Sequence, residues 1–89
     1  MTVEFDRSFL KSIDKISNKT ILRKVEKVIE EVEKAQNLSS VSQIKKLSGF
    51  KNYYRIRLGD YRLGLEEKDN ATVRIVIIAH RKEIYRFFP

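Results

Sequence analysis

Apolar residues near the start of the chain first alternate with polar ones and then recur at helical spacing. The alternation covers Thr2–Phe5 and predicts a short strand. Asp6 follows and is a suitable N-cap, because its carboxylate can accept a hydrogen bond from the free N–H groups at a helix start. The apolar positions of the predicted helix are Phe9, Leu10, Ile13 and Ile16.

A second helical pattern is longer and more regular than the first. It runs from Asn18 or Lys19 to about Gln36, with Lys and Glu on the side opposite the apolar residues. The apolar side consists of Ile21, Leu22, Val25, Val28, Ile29 and Val32. Two antiparallel helices joined at Ser17 and Asn18 form an αα-hairpin, and its shared apolar stripe requires a sheet to cover it.

The second half of the chain has the pattern of a sheet. The Ser-rich segment Leu38–Ser42 is loop-like, and Ile44–Gly49 leads into the sheet. Three segments are rich in β-branched, aromatic or alternating residues: Tyr53–Leu58, Tyr61–Lys68 and Thr72–His80. Turn-forming residues separate them at Gly59-Asp60 and at residues 69–71, so an antiparallel three-stranded meander is predicted.

Together these elements predict a single α+β domain that spans residues 1–89. An N-terminal strand and an α-helical hairpin are expected to pack on a three- to four-stranded, mainly antiparallel sheet. Arg81–Phe87 has room for one helical turn or an irregular tail before Pro89. The 42% hydrophobic and 35% charged residues are a globular balance, and 89 residues leave no room for a second domain.

The residue types that are scarce or absent argue against several classes of protein. There is no Cys and one His, so neither a disulfide framework nor a metal site is expected, and no cofactor is implied. The N-terminal segment carries Glu4, Asp6 and Arg7, which argues against a signal peptide or a membrane span and favours a cytoplasmic protein. The formal net charge of +7 favours a polyanionic partner.

The Gly59-Asp60 turn determines which side chains share a face of the sheet. A two-residue hairpin there pairs Arg57 with Arg62. Alternation then directs one set of side chains towards the helices: Tyr54, Ile56, Leu58, Tyr61, Leu63 and Leu65. The opposite set, which we name the arginine face, consists of Tyr53, Arg55, Arg57, Arg62 and Gly64.

Arg57 opposite Arg62 is unfavourable for folding alone. Like charges directly opposite each other on neighbouring strands destabilise a sheet by about a few tenths of a kcal/mol. An anion between the two side chains would relieve the repulsion, because guanidinium groups bind phosphate oxygens two at a time. The pairing therefore favours a phosphate-binding surface.

The last strand brings further residues to this region. The expected register directs one set towards the helices, namely Val73, Ile75, Ile77 and Ala79. It places the alternate set on the arginine face, namely Arg74, Val76, Ile78 and His80. Arg74 then forms an ion pair with Glu66 opposite it. Arg81 leaves the strand near the Gly59 turn and Arg62, and Tyr85 follows four residues later.

Two stretches of the chain, YYRIRLGDYRLGL and HRKEIYR, resemble the C-terminal half of the RelE/ParE toxin superfamily and are closest to its RelE branch. The order of a strand, a helical hairpin, a Lys-Lys-Leu-x-Gly segment and a meander also agrees. The resemblance therefore covers nearly the whole chain as one RelE-like toxin domain. It implies the toxin of a type II toxin–antitoxin system, which cuts mRNA on the ribosome without a metal and is held inactive by a cognate antitoxin.

Carried over by position, the resemblance implies a catalytic set of Arg55, Arg57, Arg62, Arg81 and Tyr85. The implied reaction is attack of a ribose 2′-OH on the adjacent phosphate. The best-known RelE members carry Lys in place of Arg55 and Arg57, and arginine, with a pKa above about 12, is a poor base. His80 is a candidate replacement because imidazole titrates near neutral pH, although a lone His at a strand end is more often a packing residue.

Other residues are candidates for RNA contact outside the catalytic set. Lys45, Lys46 and Lys51 are expected to bind phosphates of messenger or ribosomal RNA, and Tyr53 to stack on a base. Solvated lysines and an ordinary strand tyrosine are the alternatives. The Phe87-Phe88 tail is either covered by the antitoxin or packed back on the protein.

Two other functions are compatible with the same fold. A ParE-like toxin would inhibit DNA gyrase without cutting RNA. A module that has lost catalysis would bind structured RNA only, and the missing Lys favours this alternative.

Overall fold

The computed structural model describes residues 1–89 and contains a five-stranded sheet and three helices. The strands are β1 Thr2–Phe5, β2 Ile44–Lys46, β3 Tyr53–Leu58, β4 Tyr61–Glu67 and β5 Thr72–His80. The helices are α1 Arg7–Asp14, α2 Lys19–Lys34 and the single turn α3 Ile84–Phe87, and a 3₁₀ turn covers Leu38–Ser40. No helix is both long enough and apolar enough to pass through a membrane.

The strand order is β1-β5-β4-β3-β2, with β1 parallel to β5 and the other neighbours antiparallel. The predicted α+β class is confirmed, and β3, β4 and β5 form the expected meander. The sheet has five strands because β2 pairs with β3 at one edge while β1 returns beside β5 at the other. Helix α2 ends at Lys34, close to the predicted end at about Gln36.

Helix α1 begins at its predicted N-cap, Asp6, and α2 begins at Lys19, within the predicted range, with Asn18 as its cap. The Ser8 N–H donates a hydrogen bond of 3.0 Å to Asp6 Oδ2, which begins α1. The N–H groups of Thr20 and Ile21 donate to Asn18 Oδ1 at 2.9 and 3.2 Å, which begins α2. These contacts satisfy donors that have no acceptor inside their own helix.

Replacing Asn18 with Ala is expected to lower the free energy of unfolding by about 1 kcal/mol, because two N–H groups at the start of α2 lose their acceptor. Urea denaturation followed by circular dichroism measures the change. Asn18→Asp keeps an acceptor oxygen and is the matched control, expected to stay close to the original protein. An equal loss in both variants would show that the side-chain oxygen does not stabilise this helix start.

The two helices of the hairpin cover one face of the sheet and form a common core with it. The helical members of the core are Phe9, Ile21, Val25, Val28 and Val32. The strand members are Ile56, Leu58, Leu63, Leu65, Val73, Ile75 and Ile78. The faces predicted for β3 and β4 are therefore confirmed, and the arginine face lies on the side of the sheet away from α1 and α2.

The register between β4 and β5 changes at a β-bulge. Leu65 lies opposite Ile75, whereas the preceding Gly64 lies opposite Ile77, so Val76 is an extra residue in β5. One extra residue reverses the direction of all following side chains relative to a regular strand. The two halves of β5 therefore present their odd-numbered residues to different faces.

The predicted faces of β5 are correct only before the bulge. Val73 and Ile75 lie in the core as expected. The prediction for Ile77 and Ala79 is wrong, because both lie beyond the bulge and share the arginine face. Ile78, which was expected on the arginine face, is 2% exposed and belongs to the core.

Candidate functional site

Strands β2, β3 and β4 assemble the arginine face. The register between β3 and β4 is the predicted one, with Arg57 directly opposite Arg62. Gly59 permits the tight turn between them because its φ of +61° lies in the left-handed region. On the other side of β3, Arg55 lies opposite Lys45 of β2. Cations therefore face cations across both pairs of strands.

Arg62 lies at the centre of this cluster. Its Nη1 donates hydrogen bonds to the carbonyl oxygens of Gly59 at 2.7 Å and Tyr61 at 3.0 Å. The Nε–H and the N–H groups of Nη2 remain available to an anion. Partial burial lowers the pKa of the Arg62 guanidinium below its ordinary value, and the positive charges of Arg55 and Arg57 lower it further. A bound anion would oppose that repulsion.

Arg81 joins the cluster from the end of β5. Its backbone N–H donates to the carbonyl oxygen of Asp60 at 2.8 Å, which ties it to the turn between β3 and β4. Its Nε lies 3.7 Å from Asp60 Oδ1, and the two side chains are 55% and 74% exposed. An ion pair this loose and exposed contributes little to stability, so Arg81 can exchange Asp60 for a phosphate. The predicted position beside the turn is confirmed.

Tyr85 is an exposed side chain beside the arginines. It lies on α3 and is 62% exposed. It lies close to Arg62, and it lines a pocket of about 290 Å³ together with Arg55 and Lys45. The structure therefore brings together all five residues of the predicted catalytic set: Arg55, Arg57, Arg62, Arg81 and Tyr85.

The lysines predicted to bind RNA surround this cluster in different ways. Lys45 lies on the arginine face, whereas Lys46 lies opposite Tyr54 and points from the other side of β2. Lys46 still lines the pocket that contains Arg55, because β2 is an edge strand. Lys51 is exposed in the loop between β2 and β3. Lys45 and Lys46 are therefore accessible from the pocket beside Arg55, and Lys51 is accessible from solvent.

A row of aromatic rings covers the part of the arginine face around Gly64. Tyr53 contacts Phe50 and Phe88 edge to face, with ring centroids 6.0 and 5.4 Å apart. Phe88 is 2% exposed and packs against Gly64, whereas Phe87 is 61% exposed. The tail therefore packs back on the protein through Phe88. Tyr53 is a packing residue in addition to being a candidate for stacking on RNA.

Arg74 differs from the other arginines on this side of the sheet, because carboxylates neutralise it. Its Nη2 lies 2.8 Å from Glu66 Oε1, which confirms the predicted ion pair. Its Nη1 also lies 3.4 Å from Asp6 Oδ1. Unpaired positive charge is therefore concentrated at the end of the sheet that carries the Gly59 turn.

His80 does not lie on the arginine face, contrary to the prediction. The bulge places it opposite Tyr61, on the side of the helices, with ring centroids 5.7 Å apart. There it lines a pocket of about 460 Å³ together with Lys11 and Ser12 of α1. Its Nδ1 accepts a hydrogen bond of 3.2 Å from the Lys82 N–H. These are the contacts of a packing residue.

The sequence contained signals for two features that were not predicted, namely the contact between Phe88 and Gly64 and the bulge in β5. Gly64 lies inside a strand, where glycine often marks the close approach of another group, and that group is Phe88. Five successive apolar residues, Ile75–Ala79, break the strict alternation of a one-sided strand and so indicate a bulge or a second covered face. The bulge and the second covered face are both present, because Val76 is an extra residue in β5 and α3 packs against β5 on the arginine face.

Known proteins share this arrangement over nearly the whole chain. The family model described as the ParE toxin of the type II toxin-antitoxin system parDE matches residues 3–85. Toxin RelE3 of Methanocaldococcus jannaschii is 37% identical over 90 residues, which cover 100% of both chains.

Solved structures agree with the sequence comparison. The crystal structure of the RelB-RelE antitoxin-toxin complex from Methanococcus jannaschii matches with a TM-score of 0.81 and 35% identity, covering 97% of this chain and 99% of that one. The archaeal RelE-RelB complex from Pyrococcus horikoshii has a TM-score of 0.71 at 22% identity, covers 90% and 93% of the two chains, and supports the fold. The chain therefore belongs to the RelE/ParE family of toxins from type II toxin–antitoxin systems.

Proposed function

We propose that the chain is a ribosome-dependent, metal-independent endoribonuclease that inhibits translation by cleaving mRNA. The observation that carries this proposal is the unpaired arginine cluster. Arg57 and Arg62 face each other beside Arg55, and none of the three forms an ion pair with a carboxylate. Such a cluster suits a phosphate whose negative charge increases during reaction, because preorganised cations stabilise that charge.

In the proposed reaction, the ribose 2′-oxygen attacks the adjacent phosphorus while the bond from phosphorus to the 5′-oxygen breaks. The products are a 2′,3′-cyclic phosphate and a free 5′-hydroxyl. A base takes the proton of the 2′-hydroxyl, and an acid protonates the leaving 5′-oxygen. Arg57, Arg62 and Arg81 hold the other phosphate oxygens through their N–H groups. Tyr85 stacks on an RNA base or supplies the proton to the leaving oxygen.

The arginine face lacks a conventional base. Arg55 and Arg57 stand where the best-known RelE members carry Lys, and His80 lies on the opposite side of the sheet. Arginine stays protonated near neutral pH and so cannot readily take a proton. We therefore propose that the 2′-hydroxyl loses its proton to solvent hydroxide while the arginines stabilise the resulting negative charge.

RNA binding is proposed to extend beyond the reacting phosphate through Lys45, Lys46 and Lys51, with Tyr53 contacting a base. With Arg57, Arg62 and Arg81, these three lysines make six phosphate contacts, which predict a slope of log affinity against log salt of about −4.2 for single-stranded RNA, so affinity falls about 300-fold between 50 and 200 mM salt. Arg57→Gln is expected to reduce the magnitude of that slope by about 0.7. Fluorescence anisotropy with labelled RNA measures both slopes, and a slope near zero would contradict phosphate binding.

A cognate antitoxin is the second proposed partner. The relatives from Methanococcus jannaschii and Pyrococcus horikoshii were solved as RelE complexes with RelB. The net charge of +7 suits an antitoxin with an acidic segment that covers the arginine face. Such a segment would exclude RNA by occupying the sites of the phosphates.

The decisive experiment for the proposed function is cleavage of mRNA on programmed ribosomes by the purified chain. The Arg62→Ala/Arg81→Ala double variant is tested beside it, and the chemistry of the new RNA ends is mapped. Cuts that end in a cyclic phosphate and are absent with the double variant would support the proposal. Intact mRNA on well-programmed ribosomes would contradict it.

Inhibition of DNA gyrase is the second candidate function, and the description of the matching family model as ParE favours it. A gyrase inhibitor would block supercoiling by purified gyrase and cause DNA damage when expressed, while leaving mRNA intact. A catalytically inactive RNA-binding module would bind RNA with neither effect. Assays of mRNA cleavage, of supercoiling by gyrase and of RNA binding therefore distinguish the three alternatives.

A further inference from the structure

The C-terminal segment crosses the arginine face and is fixed there by Phe88. A Cβ added to Gly64 would lie 2.8 Å from two atoms of the Phe88 ring and 2.9 Å from a third. Real side chains do not approach so closely, so the ring occupies the space that any other residue at position 64 would need. Tyr53 borders the same ring at 5.4 Å between centroids.

Two buried side chains hold α3 against the sheet. Ile84 is 0% exposed and Phe88 is 2% exposed. The Phe88 N–H donates a hydrogen bond of 2.9 Å to the Ile84 carbonyl oxygen, which links the two anchors across the turn. Neither side chain belongs to the core between the helices and the sheet. They therefore form a separate apolar contact on the side of the proposed active site.

Tyr85 lies between these two anchors. It is 62% exposed and lines the pocket with Arg55 and Lys45. A helix of one turn has too few internal hydrogen bonds to hold its own shape, so the anchors must fix its position. The location of the Tyr85 ring thus depends on how Phe88 sits on Gly64.

We infer that Phe88, seated on Gly64, is a positioning residue that holds Tyr85 beside the arginine cluster. This inference rests on the proposed function, because it assigns a use to the Tyr85 side chain in cleavage. Its consequence is specific. A change in the fit between residues 64 and 88 alters the rate of the chemical step through Tyr85, even though neither residue touches the RNA.

Size-matched substitutions test the fit. Gly64→Ala is expected to lower kcat for ribosome-programmed cleavage by roughly 10- to 100-fold, with KM changed little, because a small displacement of a reacting group is costly. Phe88→Ala is expected to do the same. The double variant Gly64→Ala/Phe88→Leu places a smaller side chain over the new methyl group and should recover most of the lost rate. Phe87→Ala, which truncates the exposed neighbour, is the matched control and should cleave normally.

Stability is measured for every variant, and cleavage is assayed well below each melting temperature. If Gly64→Ala and the double variant lose activity equally, or if kcat simply follows melting temperature, the inference is overturned. Full activity of Phe88→Ala would overturn it as well.

A structural measurement separates failure of this inference from failure of the proposed function. The Gly64 α-protons lie against the Phe88 ring, so their NMR resonances should be shifted upfield in the original protein and in Phe87→Ala, but not in Phe88→Ala. Absence of that shift in the original protein would overturn the inference whatever the activity. If the shift is present but no RNA is cut, the proposed function fails, and the inference is then judged by whether Gly64→Ala displaces the Tyr85 ring resonances.

Discussion

Arg62→Ala is expected to slow mRNA cleavage by about 10²- to 10³-fold, because it removes a preorganised donor to the phosphate in its transition state. Arg62 is the arginine of the cluster that the structure holds most firmly. Its Nη1 donates hydrogen bonds to the carbonyl oxygens of Gly59 and Tyr61. Because the guanidinium group is planar, these two bonds also fix the directions in which Nε and Nη2 can donate to a phosphate. Single-turnover cleavage of labelled mRNA on programmed ribosomes measures the effect.

Arg23→Ala is the matched control for this substitution. It removes the same charge from an exposed position on α2, on the other side of the sheet. Cleavage by this variant should remain near that of the original protein. Arg62→Lys should fall between the two, because it keeps the charge but loses the planar fork that binds two oxygens. Equal losses in Arg23→Ala and Arg62→Ala would attribute the effect to net charge and contradict a specific role.

The fold was predictable where a single hydrophobic period governs each element. Helix α2 keeps one apolar face from Ile21 to Val32, and Asn18 provides a specific start, so its bounds follow closely from the sequence. The register of β3 and β4 was also predictable, because the two-residue turn at Gly59 allows few pairings. Strand β2 was harder to predict, because three residues are too few to show a period.

The candidate site was predictable to the extent that it depends on the β3–β4 turn. Arg57 and Arg62 follow directly from that register, and Arg81 follows from the end of β5 beside the turn. The position of His80 did not follow, because it depends on the bulge at Val76, four residues earlier in β5. The Gly59 turn determines the pairing of β3 with β4 but does not determine that bulge. Periodicity assigns faces only while pairing is regular, and one extra residue at Val76 reverses everything after it.

Stability and function make opposite demands on the arginine face. Arg57 opposite Arg62, and Arg55 opposite Lys45, place like charges against each other across two pairs of strands. Elsewhere on the same face, Arg74 is neutralised by Glu66, as folding alone would favour. Departures from local stability rules are expected at functional sites. The contrast between the two ends of one sheet face therefore supports a bound polyanion at the end where Arg55, Arg57 and Arg62 have no carboxylate partner.

The rate of cleavage is expected to rise with pH, roughly tenfold per unit from about pH 6 to about pH 8.5, with no plateau near neutrality. The arginines of the face remain protonated throughout this range, so they contribute charge stabilisation without adding a titration step. If solvent hydroxide takes the 2′-proton, the rate follows its concentration. Single-turnover rates at constant ionic strength measure the profile, with ribosome integrity checked at each pH.

His80→Ala is expected to leave this pH profile unchanged, because the bulge places the imidazole beside Tyr61 and away from the arginines. A plateau above about pH 6.5 that is lost in His80→Ala would instead identify the imidazole as the base. That result would require the end of β5 to rearrange on the ribosome, since His80 now lies on the helix side of the sheet. A plateau that persists in His80→Ala would place the base outside this chain, leaving the protein to supply the arginine cluster and Tyr85.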